Sequence, residues 1–506
     1  MTESAPAGVA NEPPRQEAAE TYVAVRNAFV LASSLAGTWA VALVVKLFLP
    51  RRLGPELFGA FNFADVLAMT ASVLLDLGLD TYIRKELPVR PRHADDFLGT
   101  GLLARVGVAI IVAMVTGGIV VASHRPPAVL ATVLLFVVGQ LLLANNNTFA
   151  AVLHAARAVD RLAVVNVGSK LLWAGAVLVA LWMRAGLPWL ALSFVASEGV
   201  RSLVLWRHLR RRFHVVLRVD WAATRRVLAA ASPFFVNAVA IMFYARIDVN
   251  IMALVLSDRE VGWYGAAGNV AGIALLMAPL MSAILMPQLA RAAGRSESEL
   301  LGMFRRSMEV VLACAIPVSM LLFLSARLIV ERVFGPAFAP TVRALELLSP
   351  MFVLTYLAML SSTCLILQGR SWRVTVISLS SVALNAALNL TLLRPAVRVL
   401  GAGGGGTAAA AISVFTEVVA ATAVLASVGR GAFDARLARS LAIAVSACLV
   451  ALVVDRFLLD IGAIRMVVAI VVYAAIVLAT GGIRVRELVE LARSARLARG
   501  EHANVA

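Results

Sequence analysis

Five cations interrupt otherwise apolar stretches of this chain: Lys46, Arg105, Lys170, Arg201 and Arg246. Acids do so too, and Asp65, Asp248 and Glu417 lie deepest in their stretches. An ionisable group in hydrocarbon is costly unless it faces a cavity or a partner, so these positions are where function shows first. In a low-dielectric site, guanidinium and ammonium groups hold phosphate oxygens through charge-assisted hydrogen bonds. As a set the five cations suit a diphosphate-bearing ligand moving along a cationic path. Arg246, near the centre of its stretch, is the strongest of the five. Asp248 sits two residues on, about 200° around a helix, so the two do not pair with each other. Arg246 shares a helix face with Met242 and Asn250, and Asp248 shares one with Tyr244 and Met252.

Each position has a second reading. Arg246 could close a buried ion pair with a carboxylate on another helix. Arg105, Lys170 and Arg201 fall in the third of their helices nearest the basic side, where long side chains snorkel to headgroups. Glu198 precedes Arg201 by three residues, the spacing of an intrahelical pair. Lys46, near the end of its stretch, could anchor at the interface. Asp65, Asp248 and Glu417 either pair with the cations or carry an ion that couples transport.

Enzyme chemistry finds no support. The six histidines lack metal-ligand spacing, and the three cysteines, Cys314, Cys364 and Cys448, all lie in apolar stretches. No nucleophile elbow or sugar-nucleotide signature occurs. The run Gly401–Gly406 follows no strand and lacks the Lys-Ser/Thr of a P-loop, so it reads as a flexible connection between helices. No metal or cofactor is expected.

The elements that carry these charges are set by composition. Of 506 residues, 61% are hydrophobic and 15% charged, with a mean hydropathy of +0.88. A soluble domain is more polar than this. Apolar runs recur from end to end and give about fourteen spans of membrane-crossing length, an all-α polytopic architecture. The loops are short, which leaves no room for a soluble catalytic domain. The net charge of +17 comes from arginines spread along the loops. That distribution speaks for topology and anionic headgroups, not nucleic acid. Most Lys and Arg fall on the side shared by both termini, which places both in the cytoplasm of a cell inner membrane. Arg51 and Arg52, on the opposite side, run against that rule.

The chain also repeats itself at an offset of 203 residues. LGPELFGAFNFA at Leu53–Ala64 is echoed by LSDREVGWYGAA at Leu256–Ala267. Each places a glycine, Gly59 or Gly262, two positions before an aromatic, Phe61 or Tyr264. Internal repeats are a recurring construction of transporters, with the substrate site between the halves. In repeat register Lys46 and Arg246 lie one helical turn apart, which points to two facing helices with a cation each.

These residues carry a resemblance. Ser232–Arg291, with RIDVNIMALVL, EVGWYGAAGNV and PQLAR, resembles the Wzx-type polysaccharide flippases of the multidrug/oligosaccharidyl-lipid/polysaccharide exporter superfamily. RRLGPELFGAFNFADVL, DLGLDTYIRKEL, FGPAFAPTVRALELLSP, the Asn385/Asn389 pair and the small-residue helix reaching Glu417 extend it over most of the chain. The resemblance implies two six-helix bundles related by a pseudo-twofold axis, plus two C-terminal helices. The boundaries are then a disordered cytoplasmic tail (1–26), a first bundle (27–206), a basic cytoplasmic linker (207–228), a second bundle (229–428), two added helices (429–483) and a basic tail helix (484–506). It further implies alternating access by a monomer, carrying a lipid-linked oligosaccharide between leaflets while its polyprenyl tail stays among the membrane lipids. Other polysaccharide-assembly proteins are the implied partners. Span one lacks the internal Arg-Asp pair of a lipid II flippase. A multidrug antiporter of the same superfamily would call for a carboxylate-lined site. A glycan polymerase or ligase would call for a large outer loop.

Overall fold

The computed structural model describes residues 14–79, 94–155, 159–212, 221–275, 278–458 and 464–480. Among them every regular element is helical. The first half comprises α1 (Pro14–Asp76), α2 (Ala94–Ala122), α3 (Pro127–Ala155), α4 (Val159–Trp182) and α5 (Leu187–Arg212). The second comprises α6 (Trp221–Val255), α7 (Asp258–Leu275), α8 (Ala278–Ala293), α9 (Glu297–Ile329), α10 (Thr341–Leu348), α11 (Met351–Leu367), α12 (Ser371–Leu400) and α13 (Gly404–Val428). Two further helices, α14 (Ala435–Phe457) and α15 (Ile464–Ala479), pack on α9.

Ten helices among the described residues are long and apolar enough to cross a membrane. One of them, the Gly37–Asp76 stretch of α1, is bent at Gly54, where φ is +74° and the backbone leaves the helical region. Glycine tolerates this backbone, and Pro50 and Pro55 on either side remove the amides that would resist the bend. α1 therefore makes two passes. The Thr341–Leu367 span, one of the ten, joins α10 to α11, and the span expected from the sequence over 261–289 falls on two shorter helices, α7 and α8. The polytopic all-α class with two related halves is thus the observed one.

Two boundaries differ from the sequence reading. The tail expected to be disordered through residue 26 is already helical from Pro14. Its Glu, Gln, Ala and Arg residues are good helix formers that extend the first span outward. The Gly401–Gly406 run is no flexible connection either. Gly404, Gly405 and Gly406 form the buried first turn of α13. A Cβ on Gly404 would press on the Ala396 carbonyl at 2.7 Å, so small residues are needed for this packing. Part of the basic linker (213–220) and the tail helix over 484–506 lie outside the described residues.

The halves meet through bare backbone. A Cβ on Gly59 would overlap the carbonyl oxygen of Asp258 and lie 2.9 Å from Gly262 N. One on Gly262 would overlap the carbonyl oxygen of Pro55 and lie 3.1 Å from Gly59 N. Under the 203-residue offset Pro55 maps onto Asp258 and Gly59 onto Gly262, so the two contacts exchange under a twofold operation. The repeated glycines are the point where the repeats touch. Around them one continuous core joins both halves, including Phe58, Phe63, Val249, Met252, Val261 and Phe338. Towards the other end of the bundle the core divides. One cluster forms around Phe149, Leu205 and Leu209, another around Phe304, Leu360 and Tyr473. There the turn after α1 meets α6, where a Cβ on Gly78 would lie 2.5 Å from Ala231 O.

The contact at Gly262 leads to a direct expectation. Gly262→Ala has to push two helices apart and should cost about 1–3 kcal/mol, the usual penalty of overpacking. Gly118→Ala, where no atom lies within 4 Å of the added carbon, should be neutral. Thermal unfolding of the two purified variants in detergent separates them, and equal midpoints would refute the close contact.

Candidate functional site

Between the halves lies a cavity of about 480 Å³, within the size range of small-molecule sites. The first arm of α1 contributes Trp39 and Lys46, and the second arm contributes Asn62 and Val66. α6 contributes Arg246 and Asp248, α7 contributes Tyr264 and Asn269, and α11 contributes Met351 and Phe352. Lys46 and Arg246 therefore share one cavity, as the repeat register suggested. Neither forms a side-chain ion pair or hydrogen bond among the described residues. The backbone carbonyl of Arg246 accepts from Asn250 Nδ2 at 3.0 Å, and the same amide donates to Thr70 Oγ1 at 2.9 Å. That ties α6 to α1 and leaves the guanidinium uncommitted.

Asp248 and Glu417 are partnered by hydroxyls, not by the cavity cations. Tyr264 donates to Asp248 Oδ2, which Ser413 Oγ also approaches at 3.4 Å. Tyr244 donates to Glu417, which Thr355 also reaches. Asp248 and Glu417 thus each link α6 or α7 to α13 and its neighbours. Neither tyrosine was singled out by sequence, although Tyr244 shares a helix face with Asp248 and Tyr264 is the aromatic of the repeat.

The remaining cations differ in what occupies them. Arg105 is 1% exposed. It donates to Ala144 O at 2.8 Å and Thr148 Oγ1 at 2.7 Å, and it pairs with Asp76 at 3.7 Å. It fastens α1, α2 and α3 together and does not snorkel. Arg201 pairs with Glu198 at 3.2 Å and donates to Asn166 Oδ1 at 2.8 Å. Asn146 Nδ2 donates to the same Glu198 at 2.8 Å. The expected intrahelical pair is therefore one edge of a wider network. Lys170 Nζ lies 4.5 Å above the Trp173 ring, and the charges acting on it are Glu198, Lys46, Arg201 and Asp65. Lys46, Lys170 and Arg201 are thus close enough to act on one another through Lys170. Arg105, Lys170 and Arg201 do not line the cavity itself.

A seal at the Gly54 end escaped the sequence reading. Arg125, in the turn between α2 and α3, pairs with Asp258 at the start of α7 and donates to Ala253 O at 2.6 Å. Its guanidinium lies 4.1 Å from the centre of the Phe63 ring, a cation–π contact. Glu260, 5% exposed, accepts from the backbone amides of Gly403 at 2.7 Å and Gly406 at 3.2 Å, placing a carboxylate on the positive end of α13. Arg51 donates to Arg332 O at 2.8 Å. The available signal was an arginine on the side where the positive-inside rule predicts few. Among the described residues no group of three His, Cys, Asp or Glu side chains could hold a metal ion.

Cationic side chains facing a cavity between two repeat-related helical halves are what the fold of this polytopic, all-helical chain sets out. The profile of the family described as polysaccharide biosynthesis protein matches residues 24–293, more than half of the chain. The protein belongs to that family. No curated protein sequence matches it significantly. Among solved structures, one described as the lipid II flippase MurJ in an inward closed conformation aligns at a TM-score of 0.68 and 11% identity, covering 91% of this chain and 100% of that one. An inward-facing multidrug resistance MATE family transporter aligns at 0.63 and 14% identity, covering 77% and 94%. An outward-facing one aligns at 0.54 and 14% identity, covering 80% and 95%. At these identities the likeness is one of fold.

The division between committed and uncommitted cations is measurable. Arg105→Met should lower stability by about 1–3 kcal/mol, because buried acceptors lose their donor. Arg246→Met and Lys46→Met should leave the unfolding midpoint unchanged. Thermal melts of the three variants distinguish the roles, and a destabilised Arg246→Met would place that residue in the scaffold.

Proposed function

We propose that this protein is a flippase for polyprenyl-diphosphate-linked oligosaccharides, turning polysaccharide repeat units from the cytoplasmic to the outer leaflet by alternating access. The observation that carries this reading is the pair Lys46 and Arg246, uncommitted cations on opposite halves that face one cavity. The diphosphate is held between them by charge-assisted bonds that strengthen in a site of low dielectric. Lys170 and Arg201 extend the attraction towards the end of the bundle away from Gly54, while Arg105 positions α2 and α3 around it. Asp65, Asp248 and Glu417 are the groups through which a coupling ion acts. The tyrosine hydroxyls on Asp248 and Glu417 report such an event to α13.

The arginine distribution supports cytoplasmic termini, which makes the Gly54 end the outer one. The Arg125–Asp258 pair and the glycine crossing then close the outer side. Export requires those contacts to part while the halves separate. The protein acts in the inner membrane as a monomer, among membrane lipids and other polysaccharide-assembly proteins. A multidrug exporter is the second reading, favoured by the fold shared with the MATE transporters. The excess of positive charge lining the cavity disfavours cationic drugs.

Deleting the gene should make polyprenyl-linked repeat units accumulate in the cytoplasmic leaflet, as read by extraction and mass spectrometry of lipid-linked glycans. Arg246→Ala should reproduce that accumulation while inserting normally. Unchanged export by well-expressed Arg246→Ala protein would remove Arg246 from the binding role.

A further inference from the structure

A second basic recess lies outside the central cavity, at the end of the bundle away from Gly54. α8 and α9 are joined there by the turn at Gly294–Ser296, and between them is a groove of about 530 Å³. Gln288 and Arg291 of α8 form one wall, Gly302, Met303 and Arg306 of α9 form the other, and Arg295 stands in the turn between them. Arg295 pairs with Glu299 at 3.4 Å. Arg291 and Arg306 form no ion pair among the described residues. The groove thus holds two uncompensated guanidinium groups that converge from different helices. On Gly302 no atom lies within 4 Å of where a Cβ would stand, so the missing side chain leaves the wall recessed.

Its depth in the molecule identifies its surroundings. Arg306 stands two residues before the buried Met308, at the start of the apolar part of α9. Further along, Val318, Leu321, Phe323 and Leu328 are exposed, as side chains facing lipid would be. On α8 the exposed Met286 comes five residues before Arg291. The groove therefore sits at the boundary between apolar and aqueous surfaces, where phospholipid phosphates lie. An arginine fork grips two oxygens of one phosphate, and two forks with the Gln288 amide beside them suit a phosphodiester bearing a polar headgroup.

We infer that the α8–α9 groove is a binding site for the phosphate headgroup of an anionic phospholipid, separate from the transport cavity. Clamped between Arg291 and Arg306, the lipid bridges α8 to α9 and so braces the second half of the molecule. Diacyl lipid recognition at this groove needs the phosphate and the boundary position together, which sets it apart from capture of a free anion.

The test uses the full-length protein in detergent with dioctanoyl phosphatidylglycerol, dioctanoyl phosphatidylcholine and inorganic phosphate as probes, read by native mass spectrometry and thermal unfolding. Wild-type protein should retain phosphatidylglycerol and melt higher in its presence, with no comparable response to phosphatidylcholine. The double variant R291Q/R306Q should bind it about tenfold more weakly, as expected for losing charge-assisted contacts. Gly302→Leu keeps every charge but fills the recess, and it should lose retention as well, which keeps the test decisive if R291Q/R306Q fails to fold. Equal retention by wild type and Gly302→Leu would overturn the site, as would equal retention by a folded R291Q/R306Q. An equal thermal response to inorganic phosphate at the same concentration would identify a free anion site and overturn the lipid assignment. None of these outcomes depends on Arg246 or on export, so the inference stands or falls apart from the proposed transport function.

Discussion

Two helices can cross with their backbones in contact only where neither carries a side chain, and this molecule is organised around one such crossing. Gly59 and Gly262 each occupy space that a Cβ would need, against the carbonyl oxygens of Asp258 and Pro55. The contact is symmetric because the residues are repeat mates. It brings the second arm of α1 and α7 together at the Gly54 end, and the shared apolar core forms around them. Under the proposed alternating access, the halves separate at one end and then the other. Opening this end would part both the bare-backbone joint and the side-chain core packed around it. Polar contacts such as Arg125–Asp258 tie the same end together.

Much of this was legible in the sequence. Helical class, the two halves and the repeat follow from apolar spans and spacing, because burial in lipid leaves helices as the economical way to satisfy the backbone. The sharing of one cavity by Lys46 and Arg246 also followed, since the offset places them a turn apart on related helices. Other features were not legible. The helical start at Pro14 was masked by a polar composition that is compatible with both coil and helix. Gly401–Gly406 read as a flexible connection because sequence cannot tell a mobile glycine run from one pressed against a neighbour. Only the placement of Glu260 over the Gly403 and Gly406 amides decides between them. Arg105 is the clearest limit. Its depth was visible, but whether it met lipid headgroups or Asp76, Ala144 and Thr148 depended on how α1 and α3 pack.

The tertiary partners also decide the sign of the cavity. By formal charge it is lined by Lys46, Arg246 and Asp248. Asp248 accepts from Tyr264 and from the Val249 amide, at 2.7 Å for the latter. Those donors spread its charge into the protein and away from the open space. The two cations have no such compensation among the described residues. The cavity therefore presents a positive face greater than its count of charges suggests, and a cation entering it would meet two like charges at short range in a medium that screens weakly.

The same accounting separates the chain's arginines into two kinds. Those with partners on other helices, Arg105, Arg125 and Arg201, hold the scaffold in register, and losing one leaves buried acceptors unsatisfied. Others, among them Arg246, Arg291 and Arg306, form no ion pair among the described residues. In a membrane the cost of an unpaired charge persists only where water or a ligand offsets it. Both sets of unpaired arginines border an open recess, the cavity for Arg246 and the α8–α9 groove for Arg291 and Arg306. Unpaired charge and empty volume occurring together at two separate places is the arrangement expected if anions complete them.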